Sequence, residues 1–295
     1  MLEYLVFRLL SLLALRIPPG VAYRLCNPIG DLAYLLLPRR RRAVRRNLSV
    51  VLGSEAPDLG RRMREVFREG VKYYYDTFRA PALSDQELER QIDMQGWENL
   101  EGALARGRGA IIITAHYGSP SLVAQILAVR KCRVTTVAES LRNRGLLDLM
   151  IQVRGSRGIR LVPVGPNVTR ELMDVLSRNE VVGVVGDRDV QKNGLPVRLF
   201  GVETTLPAGP VVLALRTGAA LLPAFTRRLG DGRFSAHIGE PLVLSRTGTV
   251  QEDLRRGIQR VAELLEQAIK VSPEQWIVFE PIWPEEAEAR QGAAR

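Results

Sequence analysis

Gly109-Ala110-Ile111-Ile112-Ile113-Thr114-Ala115-His116-Tyr117-Gly118-Ser119-Pro120-Ser121 is the stretch that sets the architecture. Three consecutive β-branched isoleucines after a glycine predict a strand buried on both faces, as in a parallel sheet. Ser119 followed by Pro120 reads as a helix N-cap with proline at the first helical position, and the apolar run over 122–129 continues the helix. His116 therefore stands at the carboxyl end of a core strand, beside a helix N-terminus. Open α/β sheets form their ligand crevices there. The chain has only two histidines. Position alone leaves two readings open: a functional imidazole, or a partly buried histidine bonded in a turn.

Downstream of this segment strands and helices alternate. Strands are expected at 110–115, 133–138, 159–164, 181–186, 197–200, 220–226 and 234–238. Helices are expected at 121–130, 142–154, 168–178 and 209–217, with a long amphipathic helix at 250–269. Upstream, residues 1–95 read as helices broken by Pro18-Pro19-Gly20 and Pro38, with a loop from Ser54 to Gly60. Such alternation predicts an α/β fold: a mainly parallel central sheet flanked by helices on both faces, with an N-terminal helical membrane-associating segment. The expected division is 1–95 for that N-terminal region, 96–284 for an α/β core on which it packs, and 285–295 for a polar tail. Neither G-x-G-x-x-G nor G-x-x-x-x-G-K-[ST] occurs, which removes support for nucleotide-binding versions of the architecture.

With 295 residues and 46% hydrophobic content, the chain can bury a full core. Two cysteines, Cys26 and Cys132, make no framework and have no metal spacing, and no metal is expected. The net charge of +10 draws the chain to polyanions. No RNA-binding strand signature, zinc finger or helix-turn-helix accompanies it, so nucleic acid is not an expected partner. The basic residues gather early, at Arg39, Arg40, Arg41, Arg42, Arg45 and Arg46, then Arg61, Arg62 and Arg64. Just before them lie an apolar helix over 2–15, too short to span a bilayer, and an apolar patch over 32–37. Apolar helices followed by a basic cluster predict a protein lying on an anionic membrane surface. A buried helical hairpin with arginines exposed by default is the alternative, and the two are compatible.

A second apolar run, Val181-Val182-Gly183-Val184-Val185-Gly186, stops abruptly at Asp187-Arg188-Asp189. If its strand neighbours that of His116, Asp187 reaches the imidazole at the same sheet edge. A carboxylate on one ring nitrogen fixes the tautomer and leaves the other nitrogen free as a general base. A charged turn bonded to itself is the plainer reading. No G-x-S-x-G elbow is present, so direct transfer is favoured over a covalent serine enzyme.

At this point the chain resembles a family, the bacterial lauroyl/myristoyl lipid A acyltransferases and, more closely, the mycobacterial phosphatidylinositol mannoside acyltransferases. The likeness rests on motifs in order. Arg45-Arg46-Asn47-Leu48 comes first, then Thr114-Ala115-His116-Tyr117-Gly118, Ala138-Glu139-Ser140-Leu141 with Arg154, and Leu161-Val162-Pro163-Val164. Gly186-Asp187-Arg188-Asp189, Phe200-Gly201, Leu206-Pro207-Ala208-Gly209-Pro210, Thr217-Gly218-Ala219 and Leu222-Pro223 follow. Pro273-Glu274-Gln275-Trp276 and Trp283 close the series.

The resemblance implies transfer of a fatty acyl chain to a hydroxyl of a glycolipid or phospholipid. The donor substrate is acyl-CoA or acyl carrier protein, with no cofactor, and the place is the cytoplasmic face of the bacterial membrane. It implies His116 as general base, with Asp187 as acidic partner, where the mannoside enzymes more often place a longer acid. It also implies Glu139, Arg154, Gly118, Ser121 and Arg188 as substrate-binding residues, with Arg188 and Asp189 structural around the site. A deep apolar groove beside His116 is expected. One departure stands out: the family pattern is H-x-x-x-x-[DE], and Ser121 occupies the acid position. A catalytically impaired acyl-lipid-binding relative is therefore the alternative.

Overall fold

The computed structural model of the protein describes residues 2–139, 143–244 and 247–284. The chain opens with four helices, α1 (Leu2–Ala14), α2 (Pro19–Leu36), α3 (Pro38–Leu52) and α4 (Leu59–Arg79). Pro19 and Pro38 each stand at the first helical position, where a missing N–H costs nothing. The core then runs α5 (Asp85–Gln91), β1 (Ile92–Gln95), α6 (Trp97–Leu104), β2 (Ala110–Thr114), α7 (Pro120–Val129), β3 (Val134–Ala138) and α8 (Arg144–Arg154). It continues with β4 (Arg160–Pro163), α9 (Val168–Ser177), β5 (Val181–Val185), the hairpin β6 (Leu195–Leu199) and β7 (Val202–Leu206), and α10 (Gly209–Thr217). Last come β8 (Ala220–Arg228), β9 (Phe234–Ile238) and α11 (Val250–Val271).

Seven strands form the main sheet in the order β1-β9-β8-β2-β5-β3-β4. Every neighbouring pair is parallel except β8 with β9. β2 lies at the centre, and all five of its residues are buried. Ile111 and Ile113 face the layer of α9, α10 and α11. Ala110 and Ile112 face α6 and α7 on the other side. This is the two-faced cover that the isoleucine run implies.

Each expected strand and helix has its counterpart, with ends shifted by a few residues. The strands β1 and β7 and the helix α6 lie outside the expectation; α5 falls within the stretch read as helical, and β1 corrects that reading at 92–95. β1 is only four residues long and lies at the sheet edge, too short for its alternation to register. Residues 140–142, which carry Ser140, Leu141 and the expected start of the helix at 142, fall outside the described residues, as does the tail 285–295.

The N-terminal helices form a further layer at the carboxyl edge of the sheet. Ala14, Ala22 and Cys26 from α1 and α2 pack with Tyr75 and Phe78 of α4 and with Met150 and Val153 of α8. Val44 and Leu48 of α3 pack with Met63, Val66 and Phe67 of α4. Their outer faces stay apolar: Leu5, Leu9, Leu12, Leu25, Ile29, Leu32, Leu35 and Leu36 are all exposed. Among the described residues, no helix is long and apolar enough to cross a membrane.

Candidate active site

The site begins with two parallel strands that end together. β2 and β5 pair in register from Ala110↔Val181 to Thr114↔Val185. Gly186 N donates to Thr114 O (2.9 Å), carrying the register one residue past the strands. A Cβ on Gly186 would lie 2.4 Å from Ile113 Cδ1, so a side chain there displaces the end of the buried Ile113. One residue further, His116 and Asp187 meet side by side.

His116 Nδ1–H donates to Asp187 Oδ1 (2.8 Å), and the His116 backbone N–H donates to Asp187 Oδ2 (3.1 Å). A third donor is the indole of Trp276, Nε1 to Asp187 Oδ2 at 2.7 Å. Asp187 has no exposed surface, whereas 29% of the His116 side chain is open. Burial opposes ionisation of Asp187. The imidazole and the two N–H donors outweigh it and hold the carboxyl below the ordinary range. With Nδ1 committed inward, Nε2 is the ring nitrogen left for a substrate.

The loop after His116 is pinned from two sides. Gly118 has φ +61°, and a Cβ there would fall 2.0 Å from Thr226 O. Gly118 N donates to Gln275 O (3.0 Å), and Ser119 N donates to Thr226 Oγ1 (2.9 Å). Ser119 occupies the N-cap position as the sequence predicts, yet its side chain does not cap. Its Oγ is buried without a partner, because the N-cap φ/ψ of −142°/79° turns the hydroxyl away from the first helical amides. Ser121, in the first turn of α7, is half-buried. Neither its hydroxyl nor its backbone N–H is hydrogen-bonded among the described residues. It makes no contact with His116 of the kind an acid there would make.

Arg188, next to Asp187, is held between carboxylates. It donates to Glu139 Oε2 (3.4 Å) and makes a short ion pair with Glu280, which also accepts from Arg40 of α3 at 3.3 Å. Burial pushes the Glu280 carboxyl up, but Arg188 and Arg40 hold it below the usual range. Asp189 orders its own turn, accepting from Asn193 N, Gly194 N and Thr205 Oγ1. Arg154 donates to Tyr73 OH at 2.8 Å. Burial pushes the neighbouring Tyr74 phenol up, against the pull of the positive charges of Arg154, Arg40 and Arg188.

Two contributors escape the sequence reading. Trp276 is legible as part of a closing element, but its bond to Asp187 spans 89 residues. Glu280 carries no motif at all. It is positioned by Asn47 of α3, which is buried and whose Nδ2 donates to Glu280 O (2.8 Å) while its Oδ1 accepts from Ile282 N (3.0 Å).

The expected apolar groove beside His116 does not coincide with the large cavity of about 740 Å³. That cavity lies between α11 and the β8–β9 pair, lined by Phe225, Arg227, His237, Leu242 and Leu264 among others. Of the loop that follows β2 it touches Tyr117 and not His116. Among the described residues, no cluster of His, Cys, Asp and Glu is placed to hold a metal.

A family model for bacterial lipid A biosynthesis acyltransferases matches residues 1–285. A phosphatidylinositol mannoside acyltransferase of Mycobacterium tuberculosis strain H37Rv is 32% identical over 249 residues, which cover 81% of this chain and 76% of that protein. The protein so named from Mycolicibacterium smegmatis is 30% identical, with 81% and 78% covered. A lipid A biosynthesis lauroyltransferase of Escherichia coli K12 is 25% identical, with 90% and 86% covered. The match runs through every element that builds the site, from Arg40 to Trp283, and the chain belongs to the bacterial lipid A biosynthesis acyltransferase family.

Proposed function

We propose that the protein is a membrane-surface O-acyltransferase that moves a fatty acyl chain from acyl-CoA or acyl carrier protein to a hydroxyl of a glycolipid or phospholipid. In this reading His116 is the general base and Asp187 its acidic partner. The observation that carries it is the buried carboxylate bonded to Nδ1 of a partly exposed imidazole, within a family of acyltransferases.

In the reaction, Nε2 of His116 takes the proton of the acceptor hydroxyl as its oxygen attacks the thioester carbonyl carbon. Asp187 stabilises the imidazolium that forms. The carbonyl π pair moves onto oxygen in the tetrahedral intermediate and returns as the C–S bond breaks. The imidazolium then gives its proton to the departing sulfur, leaving ester and thiol. Negative charge on the carbonyl oxygen needs a donor. The amides of Gly118 and Ser119 are engaged, whereas that of Ser121, at the start of α7, is available. A helix N-terminus favours such a charge. Ser121 therefore serves through its backbone, a role that any residue other than proline can fill.

The exposed apolar faces of α1 and α2 run into exposed Arg39, Arg40, Arg42 and Arg45 of α3. Apolar insertion plus positive charge suits peripheral attachment to an anionic leaflet. Arg40, through Glu280, links this face to Arg188, which follows Asp187 in the chain and also pairs with Glu139. Glu139, Arg154 and Arg188 then meet the polar parts of donor and acceptor.

A second reading, an acyl-lipid-binding relative without turnover, rests on Ser121 at the family's acid position, since a serine supplies no negative charge to the imidazole. Incubation with radiolabelled palmitoyl-CoA and a bacterial glycolipid extract separates the two. Label in a lipid product that mild alkali releases supports O-acyl transfer. Tight thioester binding with no labelled lipid, across CoA and carrier-protein donors, supports the second reading.

A further inference from the structure

After α11 the chain turns back across the carboxyl edge of the sheet and lies along the His116 loop. Tyr117 and Trp276 form an antiparallel bridge, and Ile277 N donates to His116 O at 2.7 Å. Gln275 anchors this return: its Oε1 accepts from Arg228 N (2.7 Å) and its Nε2 donates to Arg228 O (2.9 Å). The backbone of the imidazole-bearing loop and the indole of Trp276 are therefore fixed by the same three-residue clamp. Trp276 is 2% exposed, so its N–H must find a partner inside the protein, and it finds Asp187.

We infer that Trp276 is a positioning residue for the dyad: its indole N–H fixes the Asp187 carboxylate so that Oδ1 stays directed at the imidazole. This rests on the assignment of His116 and Asp187 above. Asp187 Oδ2 accepts two donors, the Trp276 indole and the His116 backbone. Two donors on one oxygen fix the plane of the carboxylate, and the other oxygen is then held toward Nδ1. With the indole donor gone, a buried oxygen keeps a single bond, and the carboxylate turns toward whatever restores the second. Partners one step removed from a reacting ring commonly fix its orientation in this way. The ring of Trp276 also packs edge-on against Trp283 at 6.1 Å. Its bulk and its N–H thus do separable work.

The test replaces the N–H while keeping the bulk. Trp276→Phe is the simple variant. Because it shrinks a buried side chain, it is paired with 3-benzothienylalanine at position 276, which keeps the bicycle and puts sulfur where the N–H was. Both are assayed for acyl transfer beside wild type, His116→Ala and Asp187→Asn, with thermal unfolding recorded for each. The expected result is a kcat lower by about 10- to 100-fold in the benzothienyl protein, as for loss of a hydrogen bond to a charged group. The KM for the acyl donor stays close to wild type, and the protein remains folded at the assay temperature although its melting temperature falls with the lost bond. In the Asp187→Asn background the same replacement has little further effect, which a merely structural role would not produce. Full activity of the benzothienyl protein, with His116→Ala inactive, overturns the role of Trp276 alone. Full activity of His116→Ala overturns the assignment of the dyad itself.

Discussion

Asp187 is a carboxylate without solvent, and its charge survives because three donors converge on it. Its pKa is held below the ordinary value, so it stabilises the fold when ionised. That contribution is present above the unfolded-state value of about 3.9 and is lost as pH falls through the lower folded-state value. Melting temperatures between about pH 2 and 6 should therefore fall less steeply on the acid side for Asp187→Asn than for wild type. An equal acid slope in the two proteins contradicts this. At Gly118, both the positive φ and the 2.0 Å approach of a Cβ to Thr226 O forbid a side chain. Gly118→Ala should cost activity and about 1–3 kcal/mol of stability, read by urea unfolding. The pairing of His116 with Asp187 was legible because each follows an apolar run that ends abruptly, and parallel neighbours bring such ends together. The Trp276 donor was not, since nothing local in a P-x-x-W stretch says which buried acceptor its indole meets.

The elements divide by the strength of their periodic signal. β2, β5 and α10 read directly from the sequence, because β-branched runs and an apolar period identify them. β1 and β7 were hidden: one has four residues at a sheet edge, and the other, Val-Glu-Thr-Thr-Leu, alternates buried and exposed over a single short hairpin. α5 carries a capping box, Ser84 with Glu87, but only seven residues follow the cap. The N-terminal helices were legible as helices and as apolar, and their exposed faces are what the membrane proposal uses. Leu32→Glu with Leu36→Glu removes apolar contact from one exposed face of α2. Sedimentation with anionic liposomes should show at least a tenfold loss of binding, with melting temperature unchanged. Arg39→Ser and Arg42→Ser should each weaken binding about fivefold at low salt, and less as salt rises. Binding to neutral liposomes equal to that on anionic ones contradicts the charge component.

For the whole molecule, the junction between the helical layer and the sheet is a buried ionic cluster. Arg228, at the carboxyl end of β8, bonds Glu69 at 3.0 Å and pairs closely with Asp76, both from α4, and Tyr23 of α2 donates to Asp76 at 2.7 Å. Burial is the dominant influence on Asp76 and pushes its carboxyl up, against the pull of Arg228. Arg228→Met leaves the buried Asp76 without its cation and Glu69 with Lys72 alone, and should cost about 3–5 kcal/mol in urea unfolding. The backbone of Arg228 also holds Gln275, so the same variant should lower acyl transfer at temperatures where it remains folded. The parallel sheet was legible from alternating elements. The way the N-terminal layer is fastened was not, because the cluster joins residues more than 150 positions apart, none of them in a motif.

In the proposed chemistry His116, oriented by Asp187, takes the acceptor proton in acyl transfer. This role is tested most directly by single-turnover transfer of a labelled palmitoyl chain from palmitoyl-CoA to a glycolipid acceptor, comparing wild type with His116→Ala and Asp187→Asn. Donor binding is measured separately for each protein. Bound donor is expected in all three, with transfer slowed by about a thousandfold or more in His116→Ala and strongly reduced in Asp187→Asn. Transfer at the wild-type rate by His116→Ala would contradict that role.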